Sequence, residues 1–560
     1  MQCATSGQAA GIVYILLYII LHFFVLNGSF PSLLLLSISA FTFDSFLNLM
    51  IIHPITSALL YTVCISLIVY FRRRWNSCRA FRVAAKQYGC KKVQKYPHQD
   101  LIWGTDLMKK RVKAVGEGRQ MTLFMEHFNK IGKAFEENFF GTRVINTIEV
   151  RSIQQVCALS SGDYGKPAQN FFKEFLGDGV LSLDSKAWKH SRDIVKHIFS
   201  RAEVSDMDTL SFHVDRFLDL IPSDGSAIDL QEPLHNLFLD LSTEFLFGQS
   251  IDAQLPDDPN NSKGLLKAFN GALAGVGKRR SAGKLQFIYS FDRSWKRGTG
   301  RVYSYVDAHV KRVLDKEPAE EKVTSSGNAV RRHILLNELV QQIKDPLQLC
   351  YQIMNVFMPG RDTTFVLIAN CLFHLARNPE IWAQLRAESI GFGSQPLTFE
   401  SLKSLHSFRN VLQENTSSSR SCRSFSTSSA QKHDSSSRRW PGRPVPYTCR
   451  AGRCGCFKYM GFIYFLLSPM MGGNDVDEFK PQRLNDKRMV WEFTPFLGGP
   501  RICPAQQQVL TQSVYLLVRM TRSFASIENR DTVLEYVEMV RMTTESRNGV
   551  KVALFSSKGE

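Results

Sequence analysis

The chain has 560 residues, 44% of them hydrophobic, enough for one large domain or two to four ordinary ones with a substantial core. Its formal charge of +18 (69 Lys and Arg against 51 Asp and Glu) is uneven: nine basic residues and one acid, Asp434, put +8 between Asn415 and Lys458. So localised an excess excludes the isoelectric point as an argument for nucleic-acid binding, and no nucleic-acid partner is expected. The twelve cysteines are scattered, and Cys64, Cys350 and Cys371 fall in apolar helical runs, which excludes a disulfide framework and reads as reduced and cytosol-facing.

Residues 1–71 hold one formally charged side chain, Asp44, and three apolar runs, Gly11–Leu26, Pro31–Phe43 and Ile55–Phe71. The last run meets the lower limit of about 17 residues for a spanning helix. Arg72-Arg73-Arg74 follows it and should stay in the cytosol, which places the rest of the chain there. No Lys or Arg precedes the first run, which argues against a cleaved signal peptide. We therefore expect a membrane anchor region at 1–71, with 55–71 the best spanning helix. A basic, proline-containing connector at 72–99 and a large domain at 100–560 complete the organisation.

From about residue 100 to 410 the pattern is mainly helical, with a short strand pair expected at Thr142–Val150 and long helices at Met207–Leu220 and Glu232–Phe247. Pro346–Ala376 reads as one long helix with proline tolerated in its first turn, and Asn378-Pro379-Glu380 as the start of another. The fold class expected is mainly α (α+β).

Three constellations carry chemistry. Phe496-Leu-Gly-Gly499-Pro-Arg501-Ile-Cys503 ends a glycine-rich turn and an arginine on a cysteine. Pro359-Gly360-Arg361-Asp362-Thr363-Thr364 puts charged and hydroxyl side chains in the middle of a core helix, a costly placement unless they have partners or a task. Trp188 and Arg192 stand four apart and share one helix face. Together these segments resemble the cytochrome P450 family. Leu176–Val180, Lys95–His98, Phe199–Ser205, Thr243–Gly248 and Gly360–Thr364 look like its fungal alkane- and fatty-acid-hydroxylating branch. The resemblance covers roughly 55–414 and 474–555.

The resemblance implies a P450-like helical haem domain with small β-sheets, behind the N-terminal membrane helix. Cys503 would be the axial iron ligand, in the loop formed by Phe496, Gly499 and Arg501. Trp188, Arg192 and Arg501 would hold the haem propionates, guanidinium matching carboxylate geometry. Thr363 would hydrogen-bond dioxygen and Asp362 would help to relay protons. Pro359 departs from the family pattern, as does Ala505, where the family usually has glycine. Glu414 and Arg483 would belong to a Glu/Arg/Arg ion network beside the haem loop. The function implied is hydroxylation of a long-chain alkane or fatty acid near its chain end. Electrons would come from a membrane-bound reductase using NADPH, with the catalytic domain on the cytosolic side of the endoplasmic reticulum membrane.

The pattern breaks after Glu414. Ser417 stands where the network's second arginine should be, and Asn415–Lys458 has no Leu or Ile but eleven Ser and four Cys. The tract reads as a disordered Ser/Arg linker, as a metal site at Cys449, Cys454 and Cys456, or, fitting best, as a displaced reading frame. Permitted codons for Ser418–Arg423 and for Tyr447–Cys454, both read two bases later, give Phe-Pro-Val-Val-Pro and Tyr-Val-Pro-Gly-Gly-Ala-Val, which resemble the family in both places. A buried pair that loses one partner costs about 3–5 kcal/mol, against a typical stability of roughly 5–15 kcal/mol. The chain as written is thus expected to fold poorly or bind haem weakly. The competing readings are an inactive remnant of the same ancestry and a membrane adaptor using the basic tract.

Overall fold

The computed structural model describes residues 54–87, 93–140, 142–165, 169–202, 206–315, 334–417, 424–429, 462–466, 478–485, 491, 493–540 and 543–556. Two compact units are present, and residues 1–87 belong to the smaller. Its described part is one helix, Pro54–Gln87. The expected spanning segment 55–71 is helical, but its helix does not stop at the arginines. It runs on through Arg72–Arg74, and Lys86 in the last turn suits the negative end of the helix dipole. Much of the expected connector is therefore helix, and among the described residues no helix is long and apolar enough to cross a membrane. The apolar runs at 11–26 and 31–43 lie outside the described residues.

The larger unit is built around the Pro346–Leu375 helix. Asp345 accepts a hydrogen bond from the Leu347 amide at its start, 3.1 Å, and Pro346 occupies a first-turn position where a missing N–H costs nothing. The helix is buried along most of its length, as an all-round apolar helix must be. Its first half, Leu349–Met358, packs into a core with Val276, Val306 and Leu336 from the Ser262–Ala282, Arg293–Asp315 and Leu335–Gln342 helices. Its second half, Phe365–Leu375, packs into another core with Trp382, Val411 and Leu517 from the Pro379–Gly391, His406–Ser417 and Gln506–Ser523 helices. The polar run 359–364 lies between the two halves. The expected helices at 207–220 and 232–247 appear as Met207–Asp219 and Gln231–Phe247. Asn378 takes the cap position as expected, but its side chain turns back to the His374 carbonyl, 2.7 Å, and caps nothing.

The sheets are small. Six strands run in the order β1-β2-β3-β7-β6-β4. They are β1 (Gln94–Lys95), β2 (Ala134–Phe139), β3 (Thr142–Thr147), β4 (Tyr164–Gly165), β6 (Ser424–Ser429) and β7 (Phe462–Leu466). The strand pair expected within 142–150 is instead one strand, β3, and its antiparallel partner is the segment before it, with Ala134 opposite Thr147 and Phe139 opposite Thr142. A three-stranded sheet β5-β11-β8 joins Asp224–Asp229, Lys551–Ser556 and Phe524–Asn529, and β9 (Glu538–Val540) pairs with β10 (Thr544–Ser546). The sheet region expected to be missing after Glu414 is partly filled: β6, from within the Ser-rich tract, pairs antiparallel with β7, and β7 pairs parallel with β3. Backbone groups make these ladders, so a serine-rich segment can enter one. Most of 415–458, including Cys449, Cys454 and Cys456, lies outside the described residues.

Candidate haem-thiolate site

Cys503 ends a tight loop. The Leu497 amide donates to the Thr494 carbonyl (2.9 Å), Ile502 to Gly499 (3.1 Å), and Cys503 to Phe496 (2.9 Å), so main-chain bonds shut the segment from 494 to 503. Gly499 has φ +68°, and a Cβ there would lie 2.3 Å from the Cys157 carbonyl oxygen, so the position requires glycine twice over. Phe496 packs against the core and anchors the loop from below. The Gln506–Ser523 helix begins three residues after Cys503, with Ala505 at its cap. A helix N-terminus beside a sulfur favours the thiolate, the form that ligates iron. Two other thiols are held protonated: burial pushes Cys157 up to about 11 and, with help from Asp307, Cys350 up to about 12.

Two arginines converge on this loop. Arg192, buried on the Ser185–Ala202 helix, donates through Nη2 to the Ile502 carbonyl, the residue before Cys503. Burial pulls its pKa below the ordinary value, and the charge of Cys503 opposes that pull. Arg501 lies with its guanidinium 4.4 Å from the centre of the Trp188 ring, a cation–π contact. Its Nη2 is 2.5 Å from Asp184 Oδ1, and its Nη1 is buried with no partner among the described residues. A buried guanidinium edge held in place and left open is suited to a carboxylate, and a haem propionate supplies one. The residues present therefore fit haem. The structure brings Trp188, Arg192 and Arg501 to the loop that ends at Cys503, and Arg192 braces the loop backbone, a role that spacing alone did not indicate.

Asp362 and Thr363 have partners of their own. Asp362 is paired with the adjacent Arg361, whose Nε is 2.7 Å from Oδ1 and whose Nη2 reaches Asn270 Oδ1 at 2.9 Å. Arg361 is fully buried against Phe269, with 4.6 Å between guanidinium and ring centre. The Thr363 hydroxyl donates to the Pro359 carbonyl, 2.8 Å. Pro359 sits inside a continuous helix, where its missing N–H deprives the Asn355 carbonyl of its helical donor.

The expected ion network is present in two of its three members. Glu414, 2% exposed, forms an ion pair with Arg483, whose Nε lies 3.0 Å from Oε1, and accepts from the Lys480 amide at 3.2 Å, while Arg483 Nε donates to the Lys480 carbonyl at 3.2 Å. Residues that motif reading passed over are Asp184, Arg361 and Asn270. Asp184 alone had a local signal, a carboxylate at the start of the helix that carries Trp188 and Arg192.

The cytochrome P450 family model matches residues 110–415, more than half of the chain, and stops at the residue where the Ser/Arg-rich tract begins. Among curated relatives, cytochrome P450 monooxygenase iccC of Talaromyces variabilis is 32% identical, covering 84% of this chain and 93% of its own length. Cytochrome P450 monooxygenase iliC of Neonectria sp. (strain DH2) and cytochrome P450 52A12 of Debaryomyces hansenii are each 30% identical, with 84% of this chain and 93% of the relative covered. With a thiolate loop, two converging arginines and these relatives, the chain belongs to the cytochrome P450 family of haem-thiolate monooxygenases.

Proposed function

We propose that the chain hydroxylates long-chain alkanes or fatty acids, with Cys503 as the iron ligand. The observation that carries the ligand assignment is the convergence of Arg192, Arg501 and Trp188 on the closed loop that ends at Cys503. Bound haem supplies activation of dioxygen, and a thiolate ligand favours cleavage of the O–O bond. The chain's own residues do the rest. Arg192 and Arg501 orient the group through its propionates, with Trp188 as a rigid backing for Arg501. Asp362 and Thr363, between the two cores of the long helix, supply a carboxylate and a hydroxyl for moving protons. Arg361 holds Asp362 in place as it does so.

The substrate class rests on the resemblance of 176–180, 199–205, 243–248 and 360–364 to the alkane- and fatty-acid-hydroxylating branch. Membrane attachment through 1–71, a location at the endoplasmic reticulum and electron supply from an NADPH-dependent reductase belong to the same proposal. The low charge of 1–71 supports attachment, since one charged side chain in 71 residues suits a lipid environment. The test is a reduced, carbon-monoxide-treated sample of the full chain. A Soret band at the thiolate position that is lost in Cys503→Ala supports the ligand assignment; its absence in the wild type refutes it. Product analysis with alkanes and fatty acids of graded length then tests the substrate class.

One observation favours a second reading, an inactive remnant. Ser417 removes the network arginine three residues after Glu414, and the family match ends two residues before it. A wild-type chain that folds without taking up haem would support this reading.

A further inference from the structure

The geometry points to Asp184 as a positioning residue for the propionate grip, a role that rests on the haem assignment above. Asp184 stands just before the Ser185–Ala202 helix, and its carbonyl accepts the Trp188 amide at 3.1 Å. Its side chain, 7% exposed, meets Arg501 Nη2 at 2.5 Å. Trp188 covers a face of the same guanidinium at 4.4 Å. One turn of chain therefore fixes the arginine in two directions, by its edge through a carboxylate and by its face through an indole. Of the two terminal nitrogens, Nη1 is buried and open for a second anion. A guanidinium is a planar fork that can serve two carboxylates on two edges. Without Asp184, a long and flexible side chain would have to be ordered by the propionate alone, at a cost in rotamer freedom.

The same contact has an electrical consequence. The carboxylate of Asp184 offsets the positive charge of Arg501 beside the haem, so removing it leaves the iron in a more positive field and favours the reduced state. A residue that merely supported the fold would change thermal stability and leave the potential where it was.

The experiment uses the full chain with haem. It measures the ferric–ferrous midpoint potential and the rate of haem transfer to apomyoglobin for wild type, Asp184→Asn, Asp184→Glu, Arg501→Gln and the Asp184→Asn/Arg501→Gln double variant. We expect Asp184→Asn to keep the thiolate Soret signature, shift the potential positive, and release haem on the order of tenfold faster, the scale seen when an outer partner of a ligand-holding group is lost. Asp184→Glu keeps the charge and should hold the wild-type potential. In the Arg501→Gln background, Asp184→Asn should add nothing to haem release, because the partner through which it acts is gone. Wild-type potential and release in Asp184→Asn, or additive effects in the double variant, would overturn the role of Asp184 and leave the haem assignment standing. A wild-type chain without the thiolate signature would overturn both.

Discussion

Arg192 donates a hydrogen bond to the carbonyl oxygen of Ile502, the residue directly before Cys503. The helix that carries Trp188 thereby grips the backbone of the loop that carries the sulfur. Arg192→Ala removes a hydrogen bond from a charged donor to that carbonyl, a contact worth about 1.5–3 kcal/mol. We expect a lower thermal midpoint and a lower haem-to-protein ratio, measured together on one preparation. A variant with a full complement of haem and an unchanged midpoint would show that the bond is dispensable.

Gly499 takes a positive φ where a side chain would strike Cys157. Gly499→Ala should distort the loop and weaken thiolate ligation, at a backbone cost of roughly 1–2 kcal/mol before the clash is counted. The ratio of thiolate-type to displaced Soret absorption in the reduced carbon-monoxide complex reads this directly. Gly360→Ala is the contrast: a Cβ there meets nothing within 4 Å, and the substitution should leave the ratio unchanged.

Glu414 and Arg483 form a buried pair at 3.0 Å. Arg483→Met leaves a buried carboxylate without its cation and should cost about 3–5 kcal/mol, seen as a lower urea midpoint. Ser417→Arg should do the reverse. Residue 417 lies on the same helix as Glu414 and three positions later, a spacing at which side chains are neighbours. Stabilisation by Ser417→Arg would identify the missing arginine as a defect of this sequence. Transcript sequence across codons 405–485 reports on the same question: an interruption that restores Glu-x-x-Arg identifies an ordinary enzyme, and an intact frame favours the remnant.

His127 and His309 are both pushed down to about 4, by burial first and then by neighbouring cations, Arg111 for one and Arg312 for the other. In the unfolded chain both titrate near 6.5. Between about pH 4 and 6.5 the unfolded state binds more protons, so these groups make stability rise with pH across that window and fall on acidification. His127→Gln should flatten the slope of unfolding free energy against pH within the window and leave it unchanged above pH 7. An unaltered slope would mean that His127 is protonated in the fold.

Much of this was legible in the sequence because it is local. The cysteine loop, the Trp188/Arg192 spacing and the Pro346 helix start are short-range patterns with physical reasons attached; the structure starts the long helix at Pro346 and places Trp188 and Arg192 on one helix. The strand pair at 142–150 was half legible. Its apolar alternation marks β3, but pairing is a relation between segments, and β2, with Glu136, Glu137 and Asn138, does not advertise itself. The end of the basic helix was missed because arginine is a good helix former, and a charge cluster that marks a membrane boundary need not stop the helix. Asp184, Arg361 and Asn270 were hidden for a different reason. Asp184 and Asn270 meet arginines 317 and 91 residues away, and Arg361, next to Asp362 in sequence, takes its role from a burial that only the fold supplies.

The bond that shuts the haem loop runs from the Cys503 amide to the Phe496 carbonyl, main chain to main chain. The sulfur can therefore be removed without opening the loop. Cys503→Ala leaves a socket with its walls in place, and small soluble thiolates added to that variant should occupy it and restore the thiolate spectrum in proportion to their concentration. The chain would then be open to chemical complementation, with the donor atom chosen by the experimenter.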